Sequence, residues 1–200
     1  CPLAPQGGRW MSVLLTAQAL RVGWQRPVAG PLSFALAAGE IVGLLGPNGC
    51  GKSTLLAALA GRATVFSGSL DKRPGLSIAL QTQAAIPAEG LPLCGRELLH
   101  LTGAAPTGLP PWLADRLEVR FDQLSGGQRQ YLSLWAILQA PADLVLLDEP
   151  TNNLDLAGGE HLALALRQRA AAGAGLFLVS HDHEFVEAVC DRVLHLGAGQ

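Results

Sequence analysis

The fourteen residues Ile41-Val42-Gly43-Leu44-Leu45-Gly46-Pro47-Asn48-Gly49-Cys50-Gly51-Lys52-Ser53-Thr54 decide how this 200-residue chain folds. The first five form a continuous apolar run, the pattern of a strand buried on both faces of a parallel sheet. Lys52 to Leu59 reads as a helix. Between them stands a complete G-x-x-x-x-G-K-[ST] loop. Its glycines let backbone N–H groups approach phosphate oxygens with no Cβ in the way. The helix N-terminus adds its partial positive charge to that cradle. Lys52 is positioned for β- and γ-phosphates, and the Ser53 hydroxyl for Mg²⁺. Lys72 is the only other lysine.

Working outward, Leu144 to Leu147 and Leu176 to Val179 repeat the buried-strand character. Each precedes a polar cluster and a helical pattern, the signature of an α/β fold. Asp148 and Glu149 end the first of these strands. Carboxylates at the carboxyl edge of a parallel sheet face the crevice where such folds bind nucleotides. Asp148 is expected to hold Mg²⁺, and Glu149 to orient and deprotonate an attacking water. Upstream, Val13 to Leu20 and Leu32 to Leu36 read as half-exposed strands joined through a Gly/Pro turn, an antiparallel subdomain. Val193 to Leu196 reads as a last strand.

Leu124-Ser125-Gly126-Gly127-Gln128 precedes a helical stretch from Arg129 to Leu138. Serine and glycines at a helix start offer a second anion-binding design, although an N-capping serine accounts for the same residues. Two such elements in a short chain make sense if the second closes on a nucleotide held by another copy.

Together these motifs make the chain resemble an ATP-binding cassette (ABC) ATPase from about Val13 to Gly199. The phosphate loop corresponds to Walker A, Leu144 to Glu149 to Walker B, and Leu124 to Gln128 to the LSGGQ signature. Asn153-Leu154-Asp155 corresponds to the D-loop, and His181 to the switch histidine. The resemblance implies a P-loop NTPase core with a mainly parallel sheet, an N-terminal antiparallel β subdomain, and a short helical insert carrying the signature. It implies one domain over residues 11–200, with the insert at about 84–140 and residues 1–10 an N-terminal tail or expression remnant. Trp24 falls where the family places the aromatic that stacks on adenine. Gln81 fits the glutamine that senses Mg²⁺ and the attacking water, with Gln83 as a rival two residues on. His181 is expected to contact the γ-phosphate and hold Glu149 in line. Glu149, His181, Lys52 and Gln81 thus form the expected catalytic set, and Ser53, Gln81 and Asp148 the metal set. ATP is expected to contact Trp24, residues 46–54, Ser125, Gly126, Gly127, Gln128 and Asp155. The family works as a head-to-tail homodimer closed by ATP, with Ser125, Gly127 and Gln128 of one copy facing the γ-phosphate at Lys52 of the other. Cys50 lies inside the loop, and its alkylation is expected to block ATP sterically.

Composition excludes several other classes. Formal net charge is −2, which gives no electrostatic footprint for nucleic acid. Cys1, Cys50, Cys94 and Cys190 lack C-x-x-C spacing, which argues against a zinc site or a disulfide framework and suits a reducing cytoplasm. No run approaches the ~18 apolar residues of a membrane helix. The expected role is therefore the ATP-hydrolysing subunit of a transporter, peripheral on the cytoplasmic face of the inner membrane through integral membrane partners. The runner-up is a non-transport cassette, because Asp148 to Asp155 and Ser180 to Phe185 resemble the translation-factor branch. The spans from Lys52 to Gln81 and from Gln81 to Leu124 are shorter than in many import cassettes, so the partner-facing insert is trimmed. A plain P-loop kinase leaves the signature unexplained.

Overall fold

The structure, a computed structural model, describes residues 12–81 and 93–197. In chain order these form β1 (Val13–Gly23), β2 (Pro27–Ala37), β3 (Ile41–Leu45), α1 (Lys52–Leu59), β4 (Thr64–Lys72) and β5 (Ile78–Gln81). There follow α2 (Gly95–Thr102), α3 (Pro111–Ala114), a 3₁₀ turn at Phe121–Gln123, α4 (Gly126–Leu138), β6 (Leu144–Asp148) and α5 (Leu156–Ala171). The described chain closes with β7 (Gly175–Val179), α6 (His183–Val189) and β8 (Arg192–His195). Residues 1–10, Gln83 and the first part of the insert lie outside the described residues.

Five strands in the order β5-β6-β7-β3-β8 make the central sheet, and every pairing in it is parallel. β3, β6 and β7 are buried along their whole length. Alternation sends their side chains to opposite faces. Ile41, Leu45, Val145, Leu147, Leu176 and Leu178 join one core with residues of α4, α5 and α6. Val42, Leu44, Leu144, Leu146, Phe177 and Val179 join a second core with β1, β2 and α1. An apolar run without polar interruption is what two covered faces require.

The second sheet is antiparallel, ordered β2-β1-β4, and packs on the far side of α1. Its first two strands run longer than the sequence suggests. Gly30 and Pro31, which read as turn residues, lie inside β2 at a bulge where Val22 pairs with Ala29 but Leu20 with Leu32. Gly30 has φ 105°, and a Cβ there would stand 2.1 Å from the Leu20 carbonyl oxygen. Only glycine fits that approach. The connection itself is Trp24-Gln25-Arg26.

Parallel pairing brings the carboxyl ends of four strands to one edge. Leu44 and Asp148 both lie in register with Val179, and Gln81 lies opposite Leu147. Gly46, Glu149 and Ser180 therefore leave the sheet side by side. This edge carries the site.

Candidate active site

The loop after β3 turns through Gly49, with φ 79°, and Gly51, with φ 94°, into α1. A Cβ on Gly51 would stand 2.7 Å from the Ala29 Cβ, so β2 braces the loop from outside. Lys52 is buried, and its Nζ donates to the carbonyl oxygens of Gly46 (2.8 Å) and Pro47 (3.1 Å). The ammonium thus sits at the mouth of the loop. The Cys50 side chain points the other way: it is 6% exposed and belongs to the core beneath α1. Its Sγ lies 3.0 Å from where a Cβ on Gly46 would stand. Only the backbone of Cys50 can face a phosphate.

A cleft of about 510 Å³ opens beside the loop. Its walls include Gly49, Lys52, Ser53, Asp148, Glu149 and His181. Val28 and Asn152 also line it, and neither was singled out from the sequence. Val28 reaches the cleft only through the pairing of β2, which leaves no local signature. Asn152 belongs to the turn after the acid pair, and its position three residues past Glu149 was the available clue.

Asp148 ends β6 almost fully buried. Its carboxyl is pushed above its ordinary pKa, chiefly by burial, with Ser53 and Lys52 opposing and the neighbouring Glu149 charge adding to the shift. Its Oδ1 is buried without a hydrogen-bond partner. An orphaned carboxylate oxygen beside a serine hydroxyl suits a hard divalent cation such as Mg²⁺, which takes oxygen donors. Gln81 stands next to this carboxylate, but its Oε1 accepts from the Asp148 N–H at 3.2 Å. The structure places Gln81 beside the pair with its oxygen engaged by backbone.

Glu149 adopts φ 51°, a left-handed conformation that costs a non-glycine residue about 1–3 kcal/mol. Its N–H donates to the Val179 carbonyl (2.8 Å), and its own carbonyl accepts from the Asn152 N–H (3.2 Å). These bonds aim the side chain at His181. Glu149 Oε2 meets His181 Nδ1 at 2.7 Å and accepts from the His181 N–H at 3.2 Å. The carboxylate is buried and the imidazole largely exposed. A buried base held by a ring that reaches solvent can move a proton at the cleft.

Among the described residues lining the cleft, none comes from the signature. Ser125 caps α4: its Oγ accepts from the Gln128 N–H (3.2 Å), and Gln128 Oε1 accepts from the Ser125 N–H (3.0 Å). This reciprocal box fixes the helix start. Ser125 and Gly126 are exposed, and a Cβ on Gly126 would meet nothing within 4 Å. Asp155 likewise caps α5, its Oδ1 accepting from the Gly158 N–H at 2.8 Å. Trp24 stands at the β1–β2 connection with 58% of its surface exposed.

Comparisons with known proteins identify the family. The family described as ABC transporter matches residues 29–88 and 101–152. The chain is 35% identical over 177 residues to the zinc import ATP-binding protein ZnuC of Marinobacter nauticus, covering 86% of this chain and 69% of that one. It is 36% identical to the hemin import ATP-binding protein HmuV of Nocardia farcinica, over 234 positions that take in 100% of this chain and 78% of the relative. That alignment is longer than this chain, so the relative carries residues absent here. Among solved structures, the ATP-binding subunit of an ABC transporter superposes with a TM-score of 0.77 at 25% identity, covering 92% of this chain and 85% of the other. The chain binds ATP as an ATPase and belongs to the ABC transporter family.

Proposed function

We propose that this chain is the ATP-hydrolysing subunit of an import transporter, working as a pair of copies that drive integral membrane partners. The observation that carries the hydrolytic reading is buried Glu149 held by His181 and facing the phosphate loop across one cleft. Lys52 and the loop N–H groups hold the β- and γ-phosphates, and Trp24 offers its exposed face to adenine. Ser53 and Asp148 would hold Mg²⁺, and Gln81 would join them only with its oxygen released from the Asp148 N–H. A cation held there would supply positive charge to the phosphate oxygens. Glu149 takes a proton from the attacking water through Oε1, because Oε2 is occupied by His181. If His181 Nδ1–H donates to Glu149, donation from Nε2 to the γ-phosphate at the same time requires the imidazolium form.

The signature supports the two-copy reading because Ser125 and Gly126 are exposed and the motif stands apart from its own chain's cleft. A second chain arranged head to tail would bring Ser125, Gly127 and Gln128 onto the phosphate bound here, and Asp155 to the same interface. ATP then bridges two surfaces, and loss of the γ-phosphate weakens the bridge. Import is favoured because both relatives named above are import proteins. Their cargoes differ, so the transported substrate belongs to the membrane partners. No helix among the described residues is long and apolar enough to cross a membrane.

Glu149→Gln tests the reading. The variant should bind ATP, turn over about a hundredfold or more slowly, and accumulate as a dimer in size-exclusion chromatography with ATP. Normal phosphate release would remove Glu149 from the role of base. The translation-factor branch remains the second reading, on the wording of Asp148 to Asp155. Co-sedimentation with ribosomes in place of membranes would favour it.

A further inference from the structure

Gln130 follows the signature by two residues and takes no part in the site described above. It lies half-buried on α4, and both ends of its amide are used. Nε2 donates to the Asn152 carbonyl oxygen, and Oε1 accepts from Asn153 Nδ2 at 2.9 Å. A donor and an acceptor in one planar group match a backbone carbonyl and a side-chain amide together, a fit that neither glutamate nor alanine reproduces. The turn so gripped is a tense one. Asn153 is left-handed at φ 59°, and Glu149, at its other end, at φ 51°. The Asn152 N–H donates to the Glu149 carbonyl at 3.2 Å, and Asn152 also lines the cleft. The signature approaches the same turn directly, since a Cβ on Gly127 would stand 3.9 Å from the Asn153 carbonyl oxygen. Displacing the start of α4 therefore pulls on the backbone that aims Glu149.

We infer that Gln130 is a positioning residue that ties the signature helix to the turn bearing Glu149, so that a nucleotide contacting this chain's signature adjusts this chain's own base. The inference rests on the two-copy reading. Contact of Ser125 and Gly127 with the phosphate of another copy is carried through the Gln130 amide to Asn152 and on to Glu149. The two clefts of a pair then act together, because each chain's signature reports on one cleft and steers the other. The coupling is a free energy between two sites through one identified connection.

The test is steady-state ATP hydrolysis against ATP concentration for the unaltered chain, Gln130→Ala and Gln130→Glu. The unaltered chain should show a Hill coefficient above one. Both variants should lose about tenfold in kcat and fall to a Hill coefficient near one, while ATP affinity stays within about twofold. Gln130→Glu has the same shape and still accepts from Asn153, but sets a carboxylate oxygen against the Asn152 carbonyl. It should therefore fail to rescue. Alanine is a good helix former, so α4 persists in Gln130→Ala. Variants with unchanged kcat and cooperativity would overturn the inference. So would a parallel loss of affinity, kcat and Tm with cooperativity kept, the outcome of a merely structural role. An unaltered chain that hydrolyses ATP without cooperativity and shows no ATP-dependent dimer in sedimentation would overturn the two-copy reading as well. Cooperative, dimerising parent protein with indifferent variants would overturn the Gln130 inference alone.

Discussion

Gly51 carries two constraints at once, a φ of 94° and an open flank only 2.7 Å from the Ala29 Cβ. Gly51→Ala should therefore both strain the loop and push it off β2. Left-handed strain of about 1–3 kcal/mol corresponds to a fall in Tm of roughly 3–10 °C for a chain this size. ATP affinity should fall with it, because the N–H groups of the loop lose their common aim. Thermal denaturation with and without ATP checks both effects, and a variant with unchanged Tm would show that the loop is not braced by β2. At this scale much of the site was legible. Lys52, Ser53, Asp148, Glu149 and His181 each sit in a short motif whose chemistry is local, and the cleft gathers all five. Val28 and Gln130 were illegible because their roles come from partners distant in sequence, whereas Asn152 had a local clue in its spacing from Glu149. The orientation of Cys50 was illegible for a different reason. A residue in a turn faces ligand or core according to backbone angles that its identity does not encode.

Strands and helices show the same division. β3, β6 and β7 were readable because burial on both faces leaves an unbroken apolar run. α1 begins at Lys52 and ends at Leu59, as its loop and periodicity imply. β4 escaped notice. Thr64 to Gly68 are exposed, no alternation marks a buried face, and its strand form comes from pairing with β1. β5 is a short edge strand held by a polar clasp at its start. Asp143 accepts from the Ser77 N–H (3.0 Å) and hydroxyl (2.8 Å) and pairs with Arg73 at 2.8 Å. These bonds lower its pKa from 3.8 to about 2. A depressed carboxylate stabilises the fold above its unfolded pKa, and that contribution is lost as pH falls through the folded value. Asp143→Ala should therefore be less stable than the unaltered chain at pH 5, with the difference closing between about pH 4 and pH 2. Urea midpoints across that window measure it. A difference that stays constant with pH would assign the clasp to packing instead of charge.

For the whole molecule, what matters most is that the phosphate loop and the signature of one chain have different surroundings. The phosphate loop opens into a cleft with an acid pair and a histidine, whereas the signature caps an exposed helix start. The sequence announced both elements but not their separation, which depends on how α4 packs across the sheet. Gln130 and the turn at Asn152–Asn153 join the two. On the proposed two-copy reading, a chain built this way is half of each catalytic unit. The most direct measurement uses an ATP analogue with a photoreactive group on the γ-phosphate, and an equal mixture of two chains. One chain carries Glu149→Gln with Lys52 intact, and the other is a tagged Lys52→Ala chain. After illumination and peptide mapping, the account predicts label at Ser125–Gln128 of the tagged chain, which cannot hold the nucleotide at its own loop. Label confined to the chain with intact Lys52 would contradict it.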